Sequence, residues 1–231
     1  MGASSAMTEN LTIHQCINGY PMDKHYPLNK LKDLDGDREQ ILNGLIDLYE
    51  RMGQNGKEVL YLHQMMVGSD NSHIVSHRCF RMGLAMEKLD KYKSAALFYS
   101  RALILEHHLE LVMYFSHNNL GYCLNILGRF EDAEKVCREA ITINPGRSNA
   151  YKNPGMSLEM QGRFTEAADS YRTGIIADFF DNDPRPRQYL ENLLSKHPEL
   201  PIKVPGAHEL IEERKKLLAT INPVKEKCIM A

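Results

Sequence analysis

The chain has 231 residues, of which 43% are hydrophobic and 25% are charged, and its formal net charge is −2. A chain of this length and composition can bury a core in one or two domains, which excludes collagen-like, disulfide-scaffold and wholly disordered proteins. Because the net charge is close to zero, no general field attracts nucleic acid, and we expect no nucleic-acid partner.

Residues 1–36 contain Pro21, Pro27 and several Gly and Asp residues, which predicts an extended or partly disordered N-terminal arm. The start of the chain lacks the basic residues and apolar run of a secretory signal, and no stretch has the roughly 18 apolar residues of a transmembrane helix. The five cysteines form no CxxC pair. We therefore expect neither a disulfide framework nor a zinc knuckle, and we expect a cytoplasmic protein.

The middle of the chain repeats itself. Gly121 and Gly155 are 34 residues apart, and the Gly-Arg-Phe tripeptide at 128–130 recurs 34 residues later at 162–164. An earlier unit matches the same positions at an offset of 38 residues, through Gly83, Tyr92, Ala95, Tyr99 and Ala102. A fixed period of this length is typical of repeat proteins, in which each unit stacks on its neighbours.

Each unit predicts two helices joined by a tight turn. In residues 114–127 the leucines follow the i, i+4, i+7 spacing of a helix face. Gly128 ends this first helix, and Pro145 follows the second. Gly121 and Ala133 are small, which predicts that the two helices approach closely at these positions.

This pattern resembles the tetratricopeptide repeat family. The resemblance covers residues 76–109, 114–147 and 148–181, and a more degenerate unit occupies 39–72, so the repeat domain is expected over 37–181. It implies an all-α fold, a right-handed superhelical stack of antiparallel helix hairpins closed by capping helices.

Pro154 departs from the family pattern, which usually has a large apolar residue at this position. A proline inside a helix removes one backbone hydrogen bond and clashes with the preceding turn. We therefore expect a kink, or a helix that restarts near Pro154.

Residues 182–220 are predicted to form the capping helices. The first has Pro186 near its start and an apolar face made of Tyr189, Leu190, Leu193 and Leu194. The second, at about 207–219, is predicted to have Leu210, Ile211, Leu217 and Leu218 on an apolar stripe and Glu212, Glu213, Arg214, Lys215 and Lys216 on a solvated face. Residues 221–231 are expected to be a flexible tail.

The tail ends in Cys228-Ile-Met-Ala, which fits a prenylation motif with a farnesyl-type last residue. Cys228 is therefore a candidate lipidation site, and membrane association is expected only if it is prenylated. A single lipid chain without a strong basic patch anchors a protein only marginally.

The resemblance also implies a concave groove lined by the first helices of successive repeats. Carrying the family's groove positions over gives a peptide-binding set of Phe80, Arg81, Phe115, Asn118, Asn119, Tyr122, Lys152 and Asn153. Asn119 and Asn153 share one repeat position, so we expect them to lie in a row and to bind a peptide backbone, since an amide both donates and accepts hydrogen bonds. Arg81 and Lys152 would favour an acidic ligand.

Some family members bind chaperone C-termini through a two-carboxylate clamp. Of the clamp residues only Asn119 is present, because Phe80, Leu84, Asn149 and Asn153 stand at the other positions. We therefore expect the partner to be a protein or peptide other than these chaperone tails.

Few features of the sequence indicate a catalytic or a metal-binding site. His73 and His77 have the i, i+4 spacing of a metal pair, but no third ligand and no HExxH glutamate accompany them. No cysteine has a base at a recognisable spacing, and we expect no cofactor, no metal and no catalytic residue. The leading hypothesis is a non-enzymatic interaction module or scaffold, and the alternatives are a prenylated membrane-associated adaptor and a metal-dependent enzyme.

Overall fold

The structure is a computed structural model that describes residues 38–66, 71–105, 109–178 and 182–217. The arm at 1–36, the tail at 221–231 and Cys228 lie outside these residues. The helices are α1 (Arg38–Arg51), α2 (Asn55–Met66), α3 (Ser72–Lys88), α4 (Tyr92–Ile104), α5 (Glu110–Ile126), α6 (Phe130–Ile143), α7 (Asn149–Met160), α8 (Phe164–Ile176) and α9 (Arg185–Lys196). A further helix, α10, covers 207–217.

The first eight helices pair into four successive hairpins, α1 with α2 through α7 with α8. Each hairpin also packs against the next. One buried hydrophobic cluster extends from Leu42 to Ala133 over the first three hairpins, and two further clusters include the residues of the last hairpin. The part of the chain that the structure describes contains no strand. The predicted all-α stack of hairpins is therefore confirmed, and α1 and α2 form a hairpin within the residues assigned to the degenerate first unit.

The turn inside each hairpin contains one residue with a positive φ. These residues are Gly53 (φ 66°), Asp90 (φ 56°), Gly128 (φ 75°) and Gly162 (φ 75°). Glycine adopts this left-handed conformation without steric cost, and aspartate is among the few other residues that tolerate it. The prediction that Gly128 ends the first helix of its hairpin is confirmed.

Within three of the hairpins the two helices cross at a glycine. The glycine of each first helix faces a side chain sixteen residues later on the second helix, in the pairs Gly83 with Tyr99, Gly121 with Cys137 and Gly155 with Tyr171. A β-carbon added at Gly121 would lie 2.0 Å from the Cys137 sulfur. The periodic glycines therefore set the distance between the helices, as the sequence predicted for Gly121.

The predicted restart at Pro154 is wrong, because α7 runs without interruption from Asn149 to Met160. Side chains of neighbouring helices hydrogen-bond the carbonyl oxygens close to the proline. The Ser170 hydroxyl donates to the Tyr151 oxygen at 2.8 Å, and the Asn125 amide donates to the Asn153 oxygen at 2.9 Å. These bonds attach the proline-containing helix to α8 and α5.

The end of the stack is covered by α9, whose Leu190 and Leu193 are fully buried against α8. In α10 the predicted faces are partly wrong, since Ile211 is 55% exposed. Arg214, expected on the solvated face, is half-buried and donates to the Ile175 oxygen at 3.3 Å and the Ile176 oxygen at 3.2 Å. The last carbonyl oxygens of a helix have no hydrogen-bond donor within that helix. Here the Arg214 guanidinium supplies that donor, and its positive charge is favourable at a helix C-terminus.

Candidate functional site

The first helices of successive hairpins contact one another directly, α3 with α5 and α5 with α7. The second helices α4 and α6 instead pack between the first helix of their own hairpin and that of the next. In a curved stack the elements that meet directly lie on the shorter, concave side. We call the solvent-facing side of α3, α5 and α7 the inner face; these three helices contain the predicted site residues.

Aromatic side chains form one part of the inner face. The half-buried rings of Phe80 on α3 and Phe115 on α5 stack with their centroids 6.4 Å apart. Two turns of α5 further along, Tyr122 meets Tyr92 edge-on at 6.1 Å. All three predicted aromatic residues are therefore held in place by ring contacts and keep part of their surface exposed.

Asn118 and Asn153 are not surface residues, since each is only 1% exposed. The Asn153 side-chain amide donates to the Asn118 backbone oxygen at 3.0 Å and to its side-chain oxygen at 2.9 Å. Because α5 and α7 are in direct contact, these amides are used to join the two helices. The expectation that Asn118 and Asn153 contact a peptide is therefore wrong for the structure described.

Asn119 is half-buried and is also engaged within the protein. Its side-chain amide donates to the Tyr99 hydroxyl at 3.4 Å, and its side-chain oxygen accepts from Asn118 at 3.2 Å. The predicted row of two exposed amides, Asn119 and Asn153, is consequently not formed. Of the pair, only Asn119 reaches the inner face.

Arg81 is used to connect the first two hairpins. Its guanidinium lies 3.0 Å from Asp47 and 3.0 Å from Glu50, both on α1. Glu50 is also bonded by Lys88, and this hydrogen bond is the main cause of its lowered pKa. The charge of Arg81 is thus already compensated, which weakens the expectation that it attracts an acidic ligand.

Lys152 lies on α7 and is only 6% exposed. Its ammonium is 5.4 Å from the centre of the Tyr122 ring, a cation–π distance. Burial is the largest influence on its pKa, which is lowered to about 8. A buried lysine on a face otherwise made of rings and amides is the most unusual group of the site.

Sequence reasoning missed two buried hydroxyl–carboxylate pairs. Tyr99 donates to Glu87 at 2.8 Å, and Tyr171 donates to Glu159 at 3.0 Å. The two pairs occupy the same repeat positions, twelve residues apart in each case, which is the signal that could have revealed them. Burial raises the pKa of Glu87 despite the hydroxyl donor.

His73 and His77 lie on α3 and are both exposed. In the residues that the structure describes, no group of three or more potential ligand residues is arranged to hold a metal ion. No described helix is long and apolar enough to cross a membrane.

The three described cysteines are free and fully buried on the repeat helices, as their positions predicted. Burial raises the pKa of Cys79 to about 11 and that of Cys137 to about 12. It also raises the pKa of Cys123. Such thiols stay protonated near neutral pH and are poor nucleophiles.

Comparison with known proteins agrees with this geometry. The model of the tetratricopeptide repeat family matches residues 114–147. No curated protein matches the sequence.

Among solved structures the chain is similar to residues 41 to the end of MamA from Desulfovibrio magneticus RS-1. The TM-score is 0.61 at 15% identity, covering 80% of this chain and 95% of that one. A further MamA crystal structure gives a TM-score of 0.59 at 14% identity, with 83% and 96% of the two chains covered. At these identities the similarity shows the fold.

Proposed function

We propose that this chain, whose residues 114–147 match the tetratricopeptide repeat family, is a non-enzymatic interaction module that binds a peptide or partner protein on its inner face. One hairpin of such a stack cannot bury both of its faces, and the face left open by stacking is the usual binding surface of repeat proteins. The fold alone does not decide the function, so the proposal depends on the residues of that face.

The observation that carries the proposal is the set of partly exposed rings on the inner face, Phe80, Phe115 and Tyr122. Aromatic side chains held in one orientation supply large contact area at low entropic cost and dominate many interfaces. Asn119 lies on the same face, where its amide can contact a peptide backbone. The three described cysteines are buried and their thiols stay protonated, so none of these three is suited to act as a nucleophile, and free thiols favour a reducing compartment such as the cytoplasm.

The experiment is a selection of short peptides with blocked ends from a random display library, followed by fluorescence anisotropy with purified protein. Tyr122→Ala and Phe115→Ala should each weaken binding by about tenfold, the loss typical of an aromatic contact of about 1.4 kcal/mol. Lys135→Ala, at an exposed position of α6, is the matched control and should leave the affinity unchanged. Far-UV circular dichroism checks that each variant keeps its helices.

A second readout does not depend on substitutions. A selected peptide carrying a benzophenone group should cross-link to α3, α5 or α7, and digestion with mass spectrometry locates the bond. Cross-links confined to the exposed sides of α4 and α6 would contradict the proposal, as would equal affinity in the ring variants and the control.

A further inference from the structure

Lys152 is a buried side chain whose positive charge is not closely paired with a carboxylate. Its side chain is 6% exposed, and in the described part of the chain no carboxylate oxygen lies within 4.0 Å of its ammonium. Burial of an ammonium is costly unless an anion or several hydrogen-bond acceptors offset it. Its ammonium lies over the Tyr122 ring, 5.4 Å from the ring centre.

The titratable groups that influence the pKa of Lys152 come from several elements of the fold. They are Glu87 at the end of α3, Cys137 on α6, and Asp183 and Arg185 at the start of α9. Both carboxylates already have closer partners. Glu87 accepts from the Tyr99 hydroxyl at 2.8 Å, and Asp183 is bonded by the Arg185 guanidinium at 2.8 Å.

These neighbours do not restore the ordinary behaviour of the amine. Burial and the positive charge of Arg185 outweigh the attraction of the carboxylates, so that the pKa of Lys152 falls to about 8. The charged form of the side chain is therefore less stable in the free protein than in water. An anion brought to the ammonium would reverse that loss.

Repeat packing does not require a cation at this position. The equivalent residues of the two preceding repeats are Phe80 and Asn118, both uncharged. Arg81, the other cation of the predicted site, is paired with two carboxylates of α1. Lys152 is thus the one of these two cations whose charge is left for a ligand.

We propose that Lys152 is the anchor for an anionic side chain, a carboxylate or a phosphate, of the peptide bound on the inner face. The anion enters beside the Tyr122 ring and accepts hydrogen bonds from the ammonium, which carries three donors and binds anions as a point charge. This inference rests on the proposed function, and it defines a requirement that the ligand must meet.

The test uses a peptide selected by the display experiment and synthesised in three forms that differ at one residue, with Glu, phosphoserine or Gln. The Glu or phosphoserine form should bind wild-type protein about tenfold more tightly than the Gln form, as expected for a charge-assisted hydrogen bond. The form with the higher affinity identifies the anion as carboxylate or phosphate. Lys152→Met keeps the aliphatic stem and should remove the preference, whereas Lys135→Met should retain it.

The pH dependence supplies a readout in the unsubstituted protein. The preference for the anionic form should be full at pH 7 and should decline above pH 8, as Lys152 of the free protein loses its proton. A preference that is absent, that does not change with pH, or that survives in a folded Lys152→Met variant overturns the inference and leaves the proposed function standing. If no peptide is selected at all, both are overturned.

Discussion

Replacing Gly121 with alanine tests whether the periodic glycines set the helix spacing. A β-carbon at this position would lie 2.0 Å from the sulfur of Cys137 and 3.3 Å from the backbone oxygen of Ala133. The sulfur contact is far below van der Waals distance, and Cys137 is fully buried. One of the two helices or the cysteine side chain must therefore shift.

The magnitude follows from two opposing effects. Overpacking of a well-packed core costs about 1–3 kcal/mol, and a contact this short calls for the upper end of that range. Alanine in place of glycine returns about 1 kcal/mol through higher helix propensity. The net expectation for Gly121→Ala is a loss of about 2 kcal/mol in the free energy of unfolding.

A double-mutant cycle isolates the cause. In a Cys137→Ala background the sulfur is absent, so Gly121→Ala should lose its penalty and stabilise the protein by up to about 1 kcal/mol. The coupling energy between the two sites is then about 3 kcal/mol, at the upper end of measured values for contacting residues. Urea unfolding followed by far-UV circular dichroism gives each stability, with the slope of the transition as a check on cooperativity.

The matched control is Gly44→Ala on α1. A β-carbon added at Gly44 has no neighbouring atom within 4 Å, so this change should stabilise the protein by about 0.5–1 kcal/mol. The reasoning would be refuted if Gly121→Ala were as harmless as Gly44→Ala, or if its cost were unchanged in the Cys137→Ala background.

Three further changes have expected outcomes in the same unfolding assay. Asn153→Ala should cost about 2 kcal/mol, because it removes a buried amide and leaves the acceptors on Asn118 unpaired. Gly162→Ala should cost about 1–2 kcal/mol at a φ of 75°, and a neutral result would contradict the turn geometry. Glu87 has a raised folded-state pKa, so it binds its proton more tightly when folded, and its own contribution to stability should fall as pH rises from the ordinary value of 4.5. Glu87→Gln should remove this decline, and parallel pH profiles for the two proteins would contradict the assignment.

The fold could be predicted from the sequence because the period marks positions with the same physical task in every repeat. Gly121 and Gly155 permit close helix approach, and Gly128 and Gly162 adopt a positive φ in the turns. Such tasks depend on backbone geometry that every hairpin shares, so few residue types can perform them. The restart predicted at Pro154 is wrong, and the side chains that bond the carbonyls near it come from other helices, α5 and α8, which the local sequence does not show.

The site could be predicted only in part, because the inner-face positions are free to differ between repeats. Asn119 and Asn153 share a repeat position, yet the first is half-buried and the second is 1% exposed. The repeat period identifies which residues lie on the first helices, but it does not show which of their side chains are used in contacts with other helices. Arg81 shows the same limit, since its partners Asp47 and Glu50 lie more than thirty residues earlier in the chain.

The middle repeat differs from its neighbours at two positions that are paired in the other repeats, and this difference affects the inner face. Where the flanking hairpins pair a tyrosine with a glutamate, this one has Cys137 and Asn125. Freed from an intrahairpin partner, the Asn125 amide donates to the Asn153 oxygen at 2.9 Å and its oxygen accepts from Ser157 at 2.8 Å.

The Asn153 side chain also donates two hydrogen bonds to Asn118. Together, these four hydrogen bonds hold α5 against α7 along several turns. The ring of Tyr122 and the ammonium of Lys152, one on each helix, are therefore held at a fixed separation before any ligand arrives. A site whose side chains are already ordered pays less entropy on binding. In the proposed complex, the amides that the sequence assigned to the ligand would therefore act indirectly, because they position Tyr122 and Lys152.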